Sequence, residues 1–167
     1  HVVDADKVIL VDGITTHLFA GFGGGRKLIL PGVAGYETIQ RNHCHALSEK
    51  VGGGVNPHTR PLLIDHNPLN DDMVEACQKI NPCFLVHSVI NADGEICRMI
   101  GGDWYHAWRK GTEAVLDIQR VPMKQKTDVV FACAGGYPSD VSLYQGSKCY
   151  DPAEMAVKEG GIVIAIM

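Results

Sequence analysis

Basic blocks, C-x-x-C pairs, long apolar runs and low-complexity tracts are all missing from this sequence of 167 residues. With 15 basic against 19 acidic side chains, a net charge of -4 leaves no electrostatic footprint for nucleic acid or an anionic membrane surface. Apolar runs such as Lys7 to Val11, closed off by Asp6 and Asp12, fall far short of the roughly 20 residues a bilayer span needs. No basic-then-apolar segment opens the chain. The zinc-hydrolase spacings H-E-x-x-H and H-x-x-E-H are absent as well, which excludes that chemistry. Six cysteines without C-x-x-C spacing, in a chain that is no tiny secreted scaffold, read as reduced, half-buried thiols of a cytoplasmic protein.

What is present is an ordinary core-forming composition, 46% hydrophobic and 20% charged. Lys7 to Val11 is expected as a buried strand, followed by a long loop from Ile14 to Gly35. A helix is expected over Tyr36 to Lys50, ended by Gly52 to Gly54, with Tyr36, Ile39, His43 and Leu47 on one stripe. Asn67 and Pro68 form a helix start, with Leu69, Met73, Ala76 and Ile80 inward. Cys83 to Ile90 and Ile96 to Ile100 read as strands joined through Asn-Ala-Asp-Gly-Glu. Asp103 caps a helix over Trp104 to Ile118 that turns Trp104, Trp108, Val115 and Ile118 inward.

The polar, proline-containing stretch over 121–127 is expected to be a linker between two domains, 1–120 and 128–167. Beyond it come a strand at Val129 to Cys133 and a helix with Asp151 as N-cap and Gly160 as its end. An apolar strand over Ile162 to Ile166 follows. Strand, glycine loop, helix and strand make a βαβ unit, so the expected class is α/β with parallel or mixed sheets, a fragment of a two-domain enzyme. The chain enters one apolar strand at once and stops inside another, from which we expect an excised segment of a longer protein.

The stretch His17-Leu-Phe-Ala-Gly-Phe-Gly-Gly-Gly-Arg-Lys-Leu-Ile-Leu-Pro-Gly32 carries the chemical question. Glycines ending in lysine suggest a phosphate cradle, but Arg26 stands where the Walker pattern needs glycine. Leu28 stands where it needs a hydroxyl. The dinucleotide pattern fails at Arg26 too. Taken alone, Lys27 reads as a solvated loop lysine, His17 as a loop histidine held by backbone, and His43 as a hydrogen-bonded core histidine. His45, His58, His66, His87 and His106 have no partner spacing that raises them above this.

The block from His17 to His43 nevertheless resembles the signature of the nickel-dependent lactate racemase family. That signature is a histidine, then G-G-x-K, then P-G, then a helix carrying a histidine. The second block, Gly-Gly-Tyr-Pro-Ser-Asp-Val-Ser-Leu-Tyr-Gln-Gly-Ser-Lys-Cys, is similar to the family's substrate-binding segment, with Gln145 and Lys148 three apart.

The resemblance implies a racemase or epimerase of 2-hydroxy acids. Its cofactor is a nickel-pincer nucleotide, the nickel complex of pyridinium-3,5-bisthiocarboxylic acid mononucleotide, made by dedicated maturation enzymes. By the resemblance, Lys27 forms a thioamide with it, His43 ligates the nickel, His17 is one of two catalytic bases, and Gln145 and Lys148 bind substrate. Hydride passes to the cofactor and returns to the other face of a flat keto acid. Its glycines are expected to let the flat cofactor lie against the backbone. A second base, a substrate arginine and a tryptophan of the family fall outside these residues, so the fragment alone is expected to be inactive. Material from a host without the maturation enzymes is expected to lack the cofactor. A second reading stays open: a non-catalytic α/β module that holds a small carboxylate or phosphate through Arg26, Lys27 and Lys148.

Overall fold

A computed structural model describes all residues 1–167. The chain forms two units, His1–Arg120 and Val121–Met167.

In the first unit, a 3-10 turn at Val2–Asp4 precedes strand β1 (Ile9–Gly13). A small antiparallel pair follows, β2 (Thr16–His17) with β3 (Gly21–Phe22), and then a 3-10 turn at Gly25–Leu28. The long loop expected from Ile14 to Gly35 therefore contains short ordered elements. Helices α1 (Tyr36–Cys44) and α2 (Pro68–Ile80) lead to β4 (Phe84–Ile90), which pairs parallel with β1. β5 (Ile96–Gly102) returns antiparallel on β4, giving a mixed sheet of order β1-β4-β5, and α3 (Trp104–Gln119) closes the unit.

The core lies between this sheet and α3. Leu10, Leu85 and Val89 point from the strands towards Trp104, Trp108 and Val115, all buried. Each large side chain removed from water in this way contributes about 1.5–3 kcal/mol. Only one face of the sheet is covered. Leu10 is 4% exposed, whereas its neighbours Ile9 and Val11 are 60% and 68% exposed, which corrects the expectation of a fully buried first strand. The alternation is the two-residue pleat of a half-covered strand.

The caps of α2 and α3 follow from their sequences. Asn67 accepts the amide of Asn70, with Pro68 in the first turn, and Asp103 accepts the amides of Tyr105 and His106. Helix α1 departs from expectation. It ends at Cys44, before the glycines, and its buried residue is Asn42, while Tyr36 and Leu47 are exposed. Asn42 donates to the Leu69 carbonyl at 3.1 Å and to Asp72 at 2.8 Å. A polar contact to α2 has set the face that the hydrophobic pattern assigned to Tyr36, His43 and Leu47.

In the second unit, β6 (Thr127–Cys133) and β7 (Val157–Ile166) pair in parallel around a helical connection of α4 (Leu143–Gly146), a 3-10 turn (Ser147–Cys149) and α5 (Tyr150–Ala156). Ala132, Cys149 and Ala153 form its small core. This is the expected βαβ unit, and the mixed α/β class holds for the chain. Two local expectations fail. Asp151 lies inside α5 rather than capping it, because the chain is already helical through Ser147–Cys149. Gly160 ends no helix. It sits within β7 at φ +75, where the register against β6 shifts between Thr127 and Val129, as a glycine bulge does.

Candidate active site

The glycine segment is organised by a side chain that the sequence reading placed in solvent or on an anion. Arg26 is fully buried. Its Nε donates to Asn70 at 2.8 Å, Nη1 to the carbonyls of Gly23 and Gly24 at 3.0 and 3.1 Å, and Nη2 to those of Ala20 and Phe22 at 3.0 and 2.9 Å. The guanidinium lies 4.0 Å from the centre of the Trp108 ring, and Trp108 Nε1 donates to the Gly23 carbonyl at 3.2 Å. Burial pushes the Arg26 guanidinium down to about 9, with Asp12 among the charges that oppose the fall. It therefore stays charged at neutral pH. With its nitrogens all engaged inside the protein, Arg26 holds no external carboxylate or phosphate, which removes it from the anion-binding module.

Two glycines also serve the fold itself. At Gly21, with φ +76, a Cβ would lie 2.4 Å from the Leu63 carbonyl oxygen. At Gly25, with φ +55, it would lie 3.0 Å from the Trp108 ring. Close internal packing therefore accounts for these glycines without a ligand.

The expected site residues of the first unit sit on three separate elements. His17 ends β2, and its Nδ1 accepts the amides of Phe19 and Ala20 at 3.3 and 3.1 Å. A neutral ring so held carries its proton on Nε2. Lys27 is half-buried in the turn Gly25–Leu28, whose backbone is tied by Lys27 N to the Gly24 carbonyl and by Gly32 N to the Lys27 carbonyl. His43 is exposed in the last turn of α1 rather than lying on a buried face. Its Nδ1 is 2.8 Å from the Ile39 carbonyl, which can only accept, so the proton is on Nδ1 and Nε2 carries the lone pair. That is the donor form a metal-ligating imidazole takes when backbone orients it. No group of three or more His, Cys, Asp or Glu side chains is gathered to form a protein metal cage. The donor chemistry therefore suits a metal held chiefly by another group, with one imidazole added.

In the second unit, Ser142 caps α4 by accepting the Gln145 amide at 3.3 Å. Lys148 Nζ donates to Gln145 Oε1 at 2.6 Å. Both side chains line a cavity of about 310 Å³ with Cys133, Ala134, Ser139 and Cys149. It opens at the carboxyl end of β6, where parallel strands commonly bind ligands. An ammonium beside an amide at such a place suits a small carboxylate. Sequence reasoning passed over Cys133 and Ser139, although their places at the end of a parallel strand and in the loop after it were a usable signal.

It also set His87 aside for want of partner spacing. This fully buried ring sits opposite Asp12 in the β1–β4 register, and its Nδ1 pairs with Asp12 Oδ1. Asp12 Oδ2 in turn accepts the amide of Gly25. Nothing in the spacing of residues 12 and 87 marks the pair, because strand pairing alone brings them together.

Residues 1–54 match the family model for the lactate racemase N-terminal domain, and residues 122–167 match that for the lactate racemase C-terminal domain. The chain is 39% identical over 162 residues to a lactate racemase of Thermoanaerobacterium thermosaccharolyticum, covering 97% of this chain and 36% of that protein. It is 36% identical over 164 residues to a lactate racemase of Lactiplantibacillus plantarum, covering 98% and 37% respectively. The structure of the lactate racemase apoprotein from T. thermosaccharolyticum superimposes with a TM-score of 0.85 at 38% identity, over 97% of this chain and 37% of that one. The chain thus spans little more than a third of the length of these relatives. The two family models together take in more than half of it, on both sides of the stretch over 55–121, and the chain belongs to the lactate racemase family.

Proposed function

We propose that this chain is part of a cytoplasmic racemase or epimerase of small 2-hydroxy acids, such as lactate. In this reading residues 1–120 belong to a cofactor-bearing domain. Residues 121–127 are a linker, and 128–167 begin a substrate-binding α/β domain. Lys27 tethers a nickel-pincer nucleotide supplied by maturation enzymes, and His43 Nε2 ligates its nickel. That group, when bound, supplies the acceptor for hydride.

The chain's own residues bind, orient and move the proton. Lys148 holds the substrate carboxylate as a point charge, and Gln145 orients it with an amide. His17 handles the substrate hydroxyl proton through Nε2. As held by Phe19 and Ala20 the neutral ring offers its Nε2–H only as a hydrogen-bond donor, since releasing that proton would leave an imidazolate. Collecting one there requires Nδ1 to turn away from those amides. The 167 residues by themselves do not turn over substrate.

The observation that supports this reading is the hydrogen bond from His43 to the Ile39 carbonyl, which leaves the Nε2 lone pair available to a metal. Mass spectrometry of the whole protein, produced together with the maturation enzymes, is expected to find the adduct on Lys27. His43→Ala is expected to lose nickel. Active enzyme with an unmodified Lys27 sinks the tether, and full nickel content in His43→Ala removes the ligand.

A further inference from the structure

We propose that the buried Asp12–His87 pair is a positioning device that fixes the turn carrying Lys27, with His87 acting on the lysine only through Asp12. The inference rests on the reading of Lys27 as the cofactor's attachment point.

Four observations converge on it. First, the turn Gly25–Leu28 begins after Gly24, which has no side chain to cap it. The cap arrives from another strand, because Asp12 Oδ2 accepts the Gly25 amide. A carboxylate at the first amide of a helical turn is the favoured arrangement. Second, Gly24 makes room for it, since a Cβ there would lie 3.3 Å from both Asp12 oxygens. Third, Asp12 cannot rotate freely. Its other oxygen pairs with His87 Nδ1, and the side chains are 9% and 0% exposed.

Fourth, His87 is a poor choice for filling space. Its Nε2 is buried without a hydrogen-bond partner, an arrangement that loses the hydration of that nitrogen with nothing in exchange. The ring also shares in crowding the middle of α3, where a Cβ at Gly111 would lie 2.9 Å from Ile14 Cδ1, 3.1 Å from His87 Cδ2 and 3.3 Å from His87 Nε2. Its inward neighbours on β4, Leu85 and Val89, are aliphatic. A third aliphatic side chain would bury no unpaired nitrogen. What the imidazole adds is one N–H aimed at Asp12. The relay runs from His87 through Asp12 to Gly25, two residues before Lys27.

The charges around the pair agree with this role. Asp12 is also a countercharge for Arg26, the side chain that binds the carbonyls of the same segment. One carboxylate thus ties the turn's first amide to the strand layer and supports the guanidinium beneath it.

The test uses the whole protein with His87→Leu, His87→Asn and Asp12→Asn. In each, hydrogen exchange of residues 22–28 is read by mass spectrometry without cofactor. The fraction of Lys27 bearing the adduct is read after production with the maturation enzymes. His87→Leu is expected to speed exchange of that segment about tenfold and to lower the adduct fraction, with exchange of β4 and α3 unchanged. His87→Asn, which restores an N–H donor, should bring both readouts back towards wild type.

Unchanged exchange or an unchanged adduct fraction in folded His87→Leu overturns the proposal. Where His87→Leu fails to fold, Asp12→Asn decides by the same two readouts. Wild-type protein that carries no adduct defeats the cofactor reading instead, and the exchange data still judge the positioning role.

Discussion

Replacing Arg26 by lysine keeps the charge but not the fork that holds the glycine segment together. The guanidinium donates to Asn70 and to four carbonyls, those of Ala20, Phe22, Gly23 and Gly24. A lysine has three donors on a shorter stem, so at least two of these five acceptors lose a charged partner. At about 1.5–3 kcal/mol per charged hydrogen bond, with part recovered by water entering the gap, Arg26→Lys should destabilise the first unit by about 3 kcal/mol. Arg26→Met removes the charge and its desolvation but strands every acceptor, for about 4 kcal/mol.

The assay is urea denaturation of this chain followed by tryptophan fluorescence. Trp104 and Trp108 are its only two tryptophans, and both are buried in the first unit. The signal therefore follows that unit. A lysine variant within about 0.5 kcal/mol of wild type, the range of ordinary surface substitutions, would refute the account of Arg26 as an internal clamp.

Two further outcomes are expected. Asp103 is held below the usual carboxylate range by the His106 amide and, more weakly, by the His106 ring and the Tyr105 amide. Its contribution to α3 is therefore fully present above the ordinary carboxylate pKa and lost as pH falls through the lower folded value. Asp103→Ala should cost about 1 kcal/mol near neutrality and progressively less in acid, read by denaturation at several pH values. An equal cost at neutral and strongly acidic pH would contradict the carboxylate cap. Burial pushes the Cys77 thiol up to about 12, so it should resist alkylation at pH 8 while exposed Cys44, Cys83, Cys97 and Cys133 react. Peptide mapping reads this directly, and early labelling at Cys77 would overturn the packing of α2 against the core.

Helix α2, helix α3 and the β4–β5 hairpin were legible because each carries its own local signal. Asn67-Pro68 and Asp103 mark starts, apolar spacing marks the inner faces, and Asn-Ala-Asp-Gly marks the turn. His17, Lys27, His43, Gln145 and Lys148 were legible as candidates only through spacing shared with a family. Composition by itself assigned them nothing.

Other features depend on residues far apart in sequence. Helix α1 buries Asn42, which meets Asp72 and the Leu69 carbonyl, and a hydrophobic pattern has no term for a polar contact across thirty residues. Arg26 went inward because the chain folds four carbonyls around it, and only the folded backbone brings those oxygens together.

What the sequence alone determined, then, is the α/β class, the capped helices and the candidate residues, since caps, periodicity and short motifs act over a few residues. The tertiary structure alone decided which charged groups are buried and paired. Arg26 became a clamp and Asp12 with His87 became a strut, because strand register and loop closure set which donors meet which acceptors away from water.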